Sequence, residues 1–163
     1  MMEALVALCA IAIDRVTKLW CVRSLMHLPG QRMPVLPGVV EFRYVENTGA
    51  AFSVLSDHTW ILIVVSAVAI VGLTGYLIKF GHTQSVLIRI CLACIIGGAI
   101  GNLIDRLWYG YVIDFINPTF IRFAVFNVAD IFVTCGAILL VFAVLLAKQP
   151  NKETKESIKN HGE

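Results

Sequence analysis

The sequence predicts a membrane all-α protein with a small β element: a bundle of four transmembrane helices carrying a small β-sheet cradle at the outer membrane face. Three observations predict it. Four stretches are mostly apolar over about the 20 residues that a helix needs to cross a hydrocarbon core. Two segments between them carry strand and turn patterns instead. Of the 163 residues, 58% are hydrophobic and 15% charged, more apolar surface than a soluble domain of this length can bury. The same composition excludes a disordered chain. Nucleic acid is excluded as a partner, because no basic stripe exists outside a short tail.

The first helix, about residues 4–22, reaches spanning length only by including Asp14, Arg15 and Lys18. It reads as a retained span. A cleaved signal peptide would have a basic start and a small-residue cleavage site, and this stretch has Glu3 and neither of those. The second, about 59–79, is uncharged up to Lys79, with Trp60 and Tyr76 as interfacial anchors. The third, about 86–107, spans if Arg89 and Arg106 sit at the two interfaces. The fourth, about 128–148, runs from Asp130 near one end to Lys148 at the other. Together they form one integral membrane domain, residues 1–148, followed by a polar tail, 149–163, expected to be disordered. The third helix carries Gly97, Gly98 and Gly101, a smooth face for close packing, and Gly72 and Gly75 are read the same way in the second.

Four spans put both termini on one side. Lys148, Lys152, Lys155 and Lys159 in the tail, with Lys79 and Arg89 around the second connection, mark that side as cytoplasmic. The outer loops are then about 23–57 and 108–126. In the first, Val40, Phe42 and Tyr44 alternate with Glu41 and Arg43, a strand pattern, between turn signals at Pro29-Gly30, Pro34 and Pro37-Gly38. In the second, β-rich runs at 111–116 and 120–126 flank Asn117-Pro118.

Ionisable groups at membrane depth cost about 2.5–3.5 kcal/mol each on insertion scales, so each needs a reason. Asp14, Asp105, Asp114 and Asp130 qualify, and all map to the outward ends of helices or to the loop beside them. Asp14 has Lys18 at i+4, and Asp105 adjoins Arg106, which reads as ion pairing that holds helix ends. Asp114 and Asp130 have no cation within three residues in sequence. Singly, Asp114 reads as an exposed strand residue and Asp130 as a first-turn acid of the fourth helix. Together, at one membrane face with apolar flanks, they match two carboxyls sharing a proton for general acid–base hydrolysis. Asn47, Asn102 and Asn127 are polar supports. Asn127 lies three residues before Asp130, on the same helix face, which Thr134 continues.

The runs Asn47-Thr48-Gly49-Ala50-Ala51-Phe52-Ser53, Gly97 to Leu107, Val112-Ile113-Asp114-Phe115 and Phe126-Asn127-Val128-Ala129-Asp130 resemble the bacterial lipoprotein signal peptidases, or signal peptidase II, as does Asp14-Arg15-Val16-Thr17-Lys18. The likeness covers about residues 11–147. It implies an intramembrane aspartyl endopeptidase of the bacterial cytoplasmic membrane that removes the signal peptide from diacylglyceryl-modified prolipoproteins, cutting before the lipid-modified cysteine. On the same basis Asp114 and Asp130 become the catalytic dyad. Asn47, Gly49, Asn102, Arg106 and Asn127 bind substrate or shape the site, and Asp14, Lys18 and Asp105 support it structurally. The likeness implies no metal and no organic cofactor, membrane lipid and lipidated precursors as partners, globomycin-type inhibitors in the site, and a monomer. A substrate anchored by lipid arrives laterally, which suits a site at membrane depth near one interface.

Three other classes are weighed against this, one of them a pure assembly scaffold, whose function would survive the nearly isosteric changes Asp114→Asn and Asp130→Asn. Cys91-x-x-Cys94, among five cysteines, has the spacing of a thiol oxidoreductase, but it lies inside the third helix and the second outer loop has no cysteine for a relay. A channel or proton-coupled transporter would spread its carboxylates through the membrane depth, whereas these sit at one end.

Overall fold

The computed structural model describes residues 1–49 and 58–147. Four helices, α1 (Met2–Leu25), α2 (Thr59–Phe80), α3 (Val86–Tyr109) and α4 (Val128–Ala147), are joined by three strands, β1 (Arg32–Leu36), β2 (Val40–Asn47) and β3 (Val112–Pro118). The strands form one antiparallel sheet in the order β1-β2-β3. Residues 50–57, in the connection between β2 and α2, and residues 148–163, which include Lys148 and the polar tail, lie outside the described residues.

Three helical stretches, Thr59–Thr83, Val86–Tyr109 and Val128–Leu146, are long and apolar enough to cross a membrane. α1 has the length for a span but carries Asp14, Arg15 and Lys18 within it. The fold tolerates them because α3 covers them: Asp14 and Lys18 are fully buried.

α3 is the central post, packing against α1, α2 and α4. Its glycines make this possible. A Cβ on Gly97 would lie 2.7 Å from the Ala7 carbonyl oxygen, and one on Gly98 would lie 2.5 Å from that of Ala129. Gly136 of α4 returns the favour, with Cys91 O at 3.0 Å from such a Cβ. The expectation for Gly72 and Gly75 fails. Nothing lies within 4 Å of a Cβ at either, and α2 has no buried residue, so these glycines border open space and pack nothing. At the end of the bundle away from the sheet, Glu3 of α1 pairs with Arg89 of α3.

The sheet caps the C-terminal end of α1. Cys21 and Leu25 pack under Tyr44, Ile113 and Phe115, and Trp20, Phe42 and Phe115 form an edge-to-face aromatic group with centroids 5.2–6.5 Å apart. Two strand expectations need correction. Pro34 is inside β1, not at a turn. An edge strand accommodates a residue without an N–H, and a bulge follows it. The run 120–126 makes only an isolated bridge, Ile116 to Phe126, because Pro118 ends β3 and the chain turns at 119–122.

Candidate active site

The polar residues converge where the C-terminal ends of α1 and α3 and the N-terminal end of α4 meet the sheet. β3 brings Asp114 there. Its alternation sends Ile113 and Phe115 into the apolar cluster against α1, and Val112 and Asp114 into a cavity of about 360 Å³. Asp114 is 2% exposed, so the exposed-strand reading of this residue is wrong. α4 brings Asp130, which borders the same cavity.

Asn127 and Asp130 form a reciprocal cap at the start of α4. The Asp130 N–H donates to Asn127 Oδ1 at 3.0 Å, and the Asn127 N–H donates to Asp130 Oδ2 at 3.0 Å. Asp130 is thus the first-turn acid that its sequence position suggests, and one of its oxygens is held by that role. Its other oxygen, Oδ1, accepts from Asn102 Nδ2 at 2.8 Å. Asp114 is held the same way: Oδ1 accepts from Asn127 Nδ2 at 2.7 Å and Oδ2 from Asn47 Nδ2 at 2.8 Å. The four of these bonds that reach the Asp114 and Asp130 side chains are all donated to carboxylate oxygens. Three asparagines from β2, α3 and the start of α4 therefore fix both acids and link them through Asn127.

Burial pushes the Asp114 carboxyl up, the charge of Asp130 pushes it further, and it reaches about 7 despite the donors from Asn47 and Asn127. A group that titrates near neutrality can take up or release a proton there, as a member of an acid–base pair must.

Beneath the asparagines lies a buried ion cluster. Lys18 Nζ is 3.0 Å from Asp14 Oδ2 and 2.8 Å from Asp105 Oδ2. Arg15 reaches the same two acids, at 2.8 Å and 2.6 Å. Asp105 Oδ2 also accepts the Ile113 N–H, tying α3 to β3 one residue before Asp114, and Asp14 Oδ1 accepts the Ala129 N–H, tying α1 to α4 one residue before Asp130. Arg15 was missing from the sequence-derived site. Its signal was present, a cation inside the span next to Asp14, but nothing in the spacing tells that it reaches Asp105, 90 residues away.

Arg106 Nη2 donates to the Gly49 carbonyl at 3.1 Å, and the Gly49 N–H donates to Asn47 Oδ1 at 2.9 Å. The turn after β2 is thereby fastened to α3 and aims the Asn47 amide. A larger cavity, about 800 Å³, runs from Asp114 along the sheet past Arg43, Asn117 and Arg122. Cys91 is buried and Cys94 half-buried, both against α4 at Gly136, so this pair packs helices. Among the described residues no group of His, Cys, Asp and Glu could hold a metal ion.

Residues 6–146 match the family of Signal peptidase (SPase) II. The chain belongs to the signal peptidase II family. The lipoprotein signal peptidases of Streptococcus pyogenes serotypes M5 (strain Manfredo) and M18 (strain MGAS8232) are each 40% identical to it over 134 residues, covering 82% of this chain and 86% of theirs. The fold is similar to that of two bacterial membrane enzymes solved by the in meso method. One, at 2.3 Å resolution, gives a TM-score of 0.83 at 28% identity, covering 93% of this chain and 92% of the other. The second, at 1.9 Å, gives 0.76 at 29%, covering 88% and 92%. This signal peptidase II is an aspartic peptidase, a multi-pass protein of a bacterial membrane that removes signal peptides from prolipoproteins.

Proposed function

We propose that Asp114 and Asp130 are the catalytic dyad of this peptidase. The observation that carries the reading is the shared cavity: two carboxyls from different elements border it, linked through one asparagine. With one proton between them, the ionised carboxylate takes a proton from an attacking water. The protonated partner donates to the scissile carbonyl as it becomes tetrahedral, and the proton gained from water then goes to the leaving amine. Asn47, Asn102 and Asn127 hold the pair, and Arg106 with Gly49 shapes the outer rim.

The substrate is a prolipoprotein whose cysteine already carries diacylglycerol, cut just before that cysteine. The cavity supports this through its apolar side, where Phe126, Ile131 and Val133 follow the dyad into the membrane-spanning part of α4. Acyl chains anchored in the bilayer would deliver the peptide bond to that depth. Both termini are cytoplasmic and the dyad lies near the outer face, in keeping with Lys79 and Arg89 at the opposite end of the bundle. With purified enzyme, a precursor bearing the diacylglyceryl group is expected to be cleaved at least about tenfold faster in kcat/KM than the same precursor without it. Equal rates would overturn the lipid requirement.

The pH dependence has a definite sign. Asp114 titrates near 7 in the folded protein, above an ordinary carboxyl, so the proton shared by the pair is present below that pH and lost above it. As pH rises through about 7 both carboxyls become ionised, and kcat/KM is expected to fall, approaching tenfold per unit well above it. Stability moves the same way. The native state binds this proton more tightly than the unfolded chain, so its contribution is full at acid pH and is lost between the ordinary carboxyl range and about 7. A pH–rate profile flat from 6 to 9 would refute a shared proton.

A further inference from the structure

We propose that Lys18 is a positioning residue for the dyad, acting through Asn102 by fixing which way that amide faces; the inference rests on the dyad reading above. An ammonium has three N–H donors and no acceptor. Those of Lys18 are matched to three acceptors: Asp14 Oδ2 at 3.0 Å, Asp105 Oδ2 at 2.8 Å and Asn102 Oδ1 at 2.9 Å. The third contact decides the geometry at Asp130. With Oδ1 turned to Lys18, Asn102 Nδ2 must face Asp130 Oδ1 and donate to it. Turned half a revolution, the amide would aim its carbonyl oxygen at a carboxylate oxygen and its NH₂ at an ammonium, and both contacts would be repulsive.

The ion cluster by itself does not require this third bond. Arg15 also engages Asp14 and Asp105, but its remaining contact is the Gly101 carbonyl, and no hydrogen bond joins it to Asn102. Arg15 and Lys18 are thus equivalent for the acids and different for the amide. Asn127 Nδ2 shares Asn102 Oδ1 at 3.0 Å and opposes the same turn. That bond is between neutral groups, whereas the one from Lys18 is charge-assisted and about twice as strong. The buried cation, distant in sequence from both dyad acids, is in this way one amide removed from Asp130.

Two charge-balanced double variants separate positioning from mere packing. D14N/K18M leaves Asp105 with Arg15; D14N/R15M leaves Asp105 with Lys18, still on Asn102. With the lipidated precursor and purified protein, D14N/R15M is expected within threefold of D14N in kcat. D14N/K18M is expected to fall at least about tenfold in kcat with KM within twofold, the scale at which partners behind a functional ligand act. Equal kcat in the two variants, or a change confined to KM, would overturn the proposal. Thermal melts report folding. If D14N/K18M gives no cooperative melt, K18R and K18Q decide: the donor-only guanidinium keeps kcat, and the amide, which can donate or accept, loses it. Equal rates for these two again overturn the proposal. Failure of the dyad itself is read elsewhere, from D114N and D130N. If those are inactive while the Lys18 comparison shows no difference, only the positioning role is lost.

Discussion

Asp114→Asn and Asp130→Asn are each expected to abolish cleavage of a lipidated precursor, by at least about 10⁴-fold, while the protein still folds and inserts. The change is nearly isosteric, so cavity shape is kept and only proton chemistry is lost. An amide can neither take a proton from water nor share one with the opposite carboxylate. The surroundings add a second effect. Both oxygens of Asp114 face NH₂ groups, from Asn127 and Asn47, and both oxygens of Asp130 face N–H donors. An asparagine at either position must set its own NH₂ against one of these donors and forfeit a bond worth about 1 kcal/mol net. Removal of a buried carboxylate offsets part of that, so a small shift in melting temperature should accompany a complete loss of turnover. Gel-shift assays of precursor cleavage with thermal melts on the same preparations check both. Near wild-type rates in both variants would dismiss the dyad.

Gly98→Val is expected to cost folding and activity together. A Cβ at Gly98 would lie 2.5 Å from the Ala129 carbonyl oxygen and 2.9 Å from Val133 Cγ2, and the first of these is backbone that cannot rotate away. α4 must therefore move outward by roughly 1 Å to restore ordinary contact, and overpacking of this kind costs about 1–3 kcal/mol. Ala129 immediately precedes Asp130, so the same movement displaces the carboxylate and strains the cap that Asn127 makes with it. A misplacement of about 1 Å can lower turnover about 10²-fold. Gly75→Ala is the matched comparison: nothing lies within 4 Å of its Cβ, and the substitution in a helix interior should be neutral or stabilising by about 0.5–1 kcal/mol. Melts of the two variants in detergent would separate the sites, and equal stability would mean that α3 and α4 do not meet as closely as described.

Much of this architecture was legible before the fold. Hydropathy located the helices, and alternation in Val40 to Glu46 located β2, because both patterns are local. That Asp114 and Asp130 come to one cavity was legible because scarce carboxylates at membrane depth need a reason, and these two lacked a cation nearby in sequence. What could not be read was which amide meets which acid. Asn47 and Asp114 are 67 positions apart, and Lys18 and Asn102 are 84 apart. No periodicity specifies such pairs. β1 was hidden by Pro34, a turn former tolerated at an edge, and the run 120–126 carried β-branched and aromatic residues without a partner strand to use them. Gly72 and Gly75 looked like packing glycines because composition does not reveal whether a second helix is opposite.

The site draws on five elements: Lys18 from α1, Asn47 from β2, Asn102 from α3, Asp114 from β3, and Asn127 and Asp130 from the start of α4. Asn127 and Asp130 are the last of these in the chain and the last to be synthesised. Without α4 and the residue before it, Asp114 lacks both Asp130 across the cavity and the Asn127 amide that holds Oδ1. On the dyad reading proposed above, a chain that ends before α4 holds one of the two acids, still bonded to Asn47, and has no hydrolytic centre.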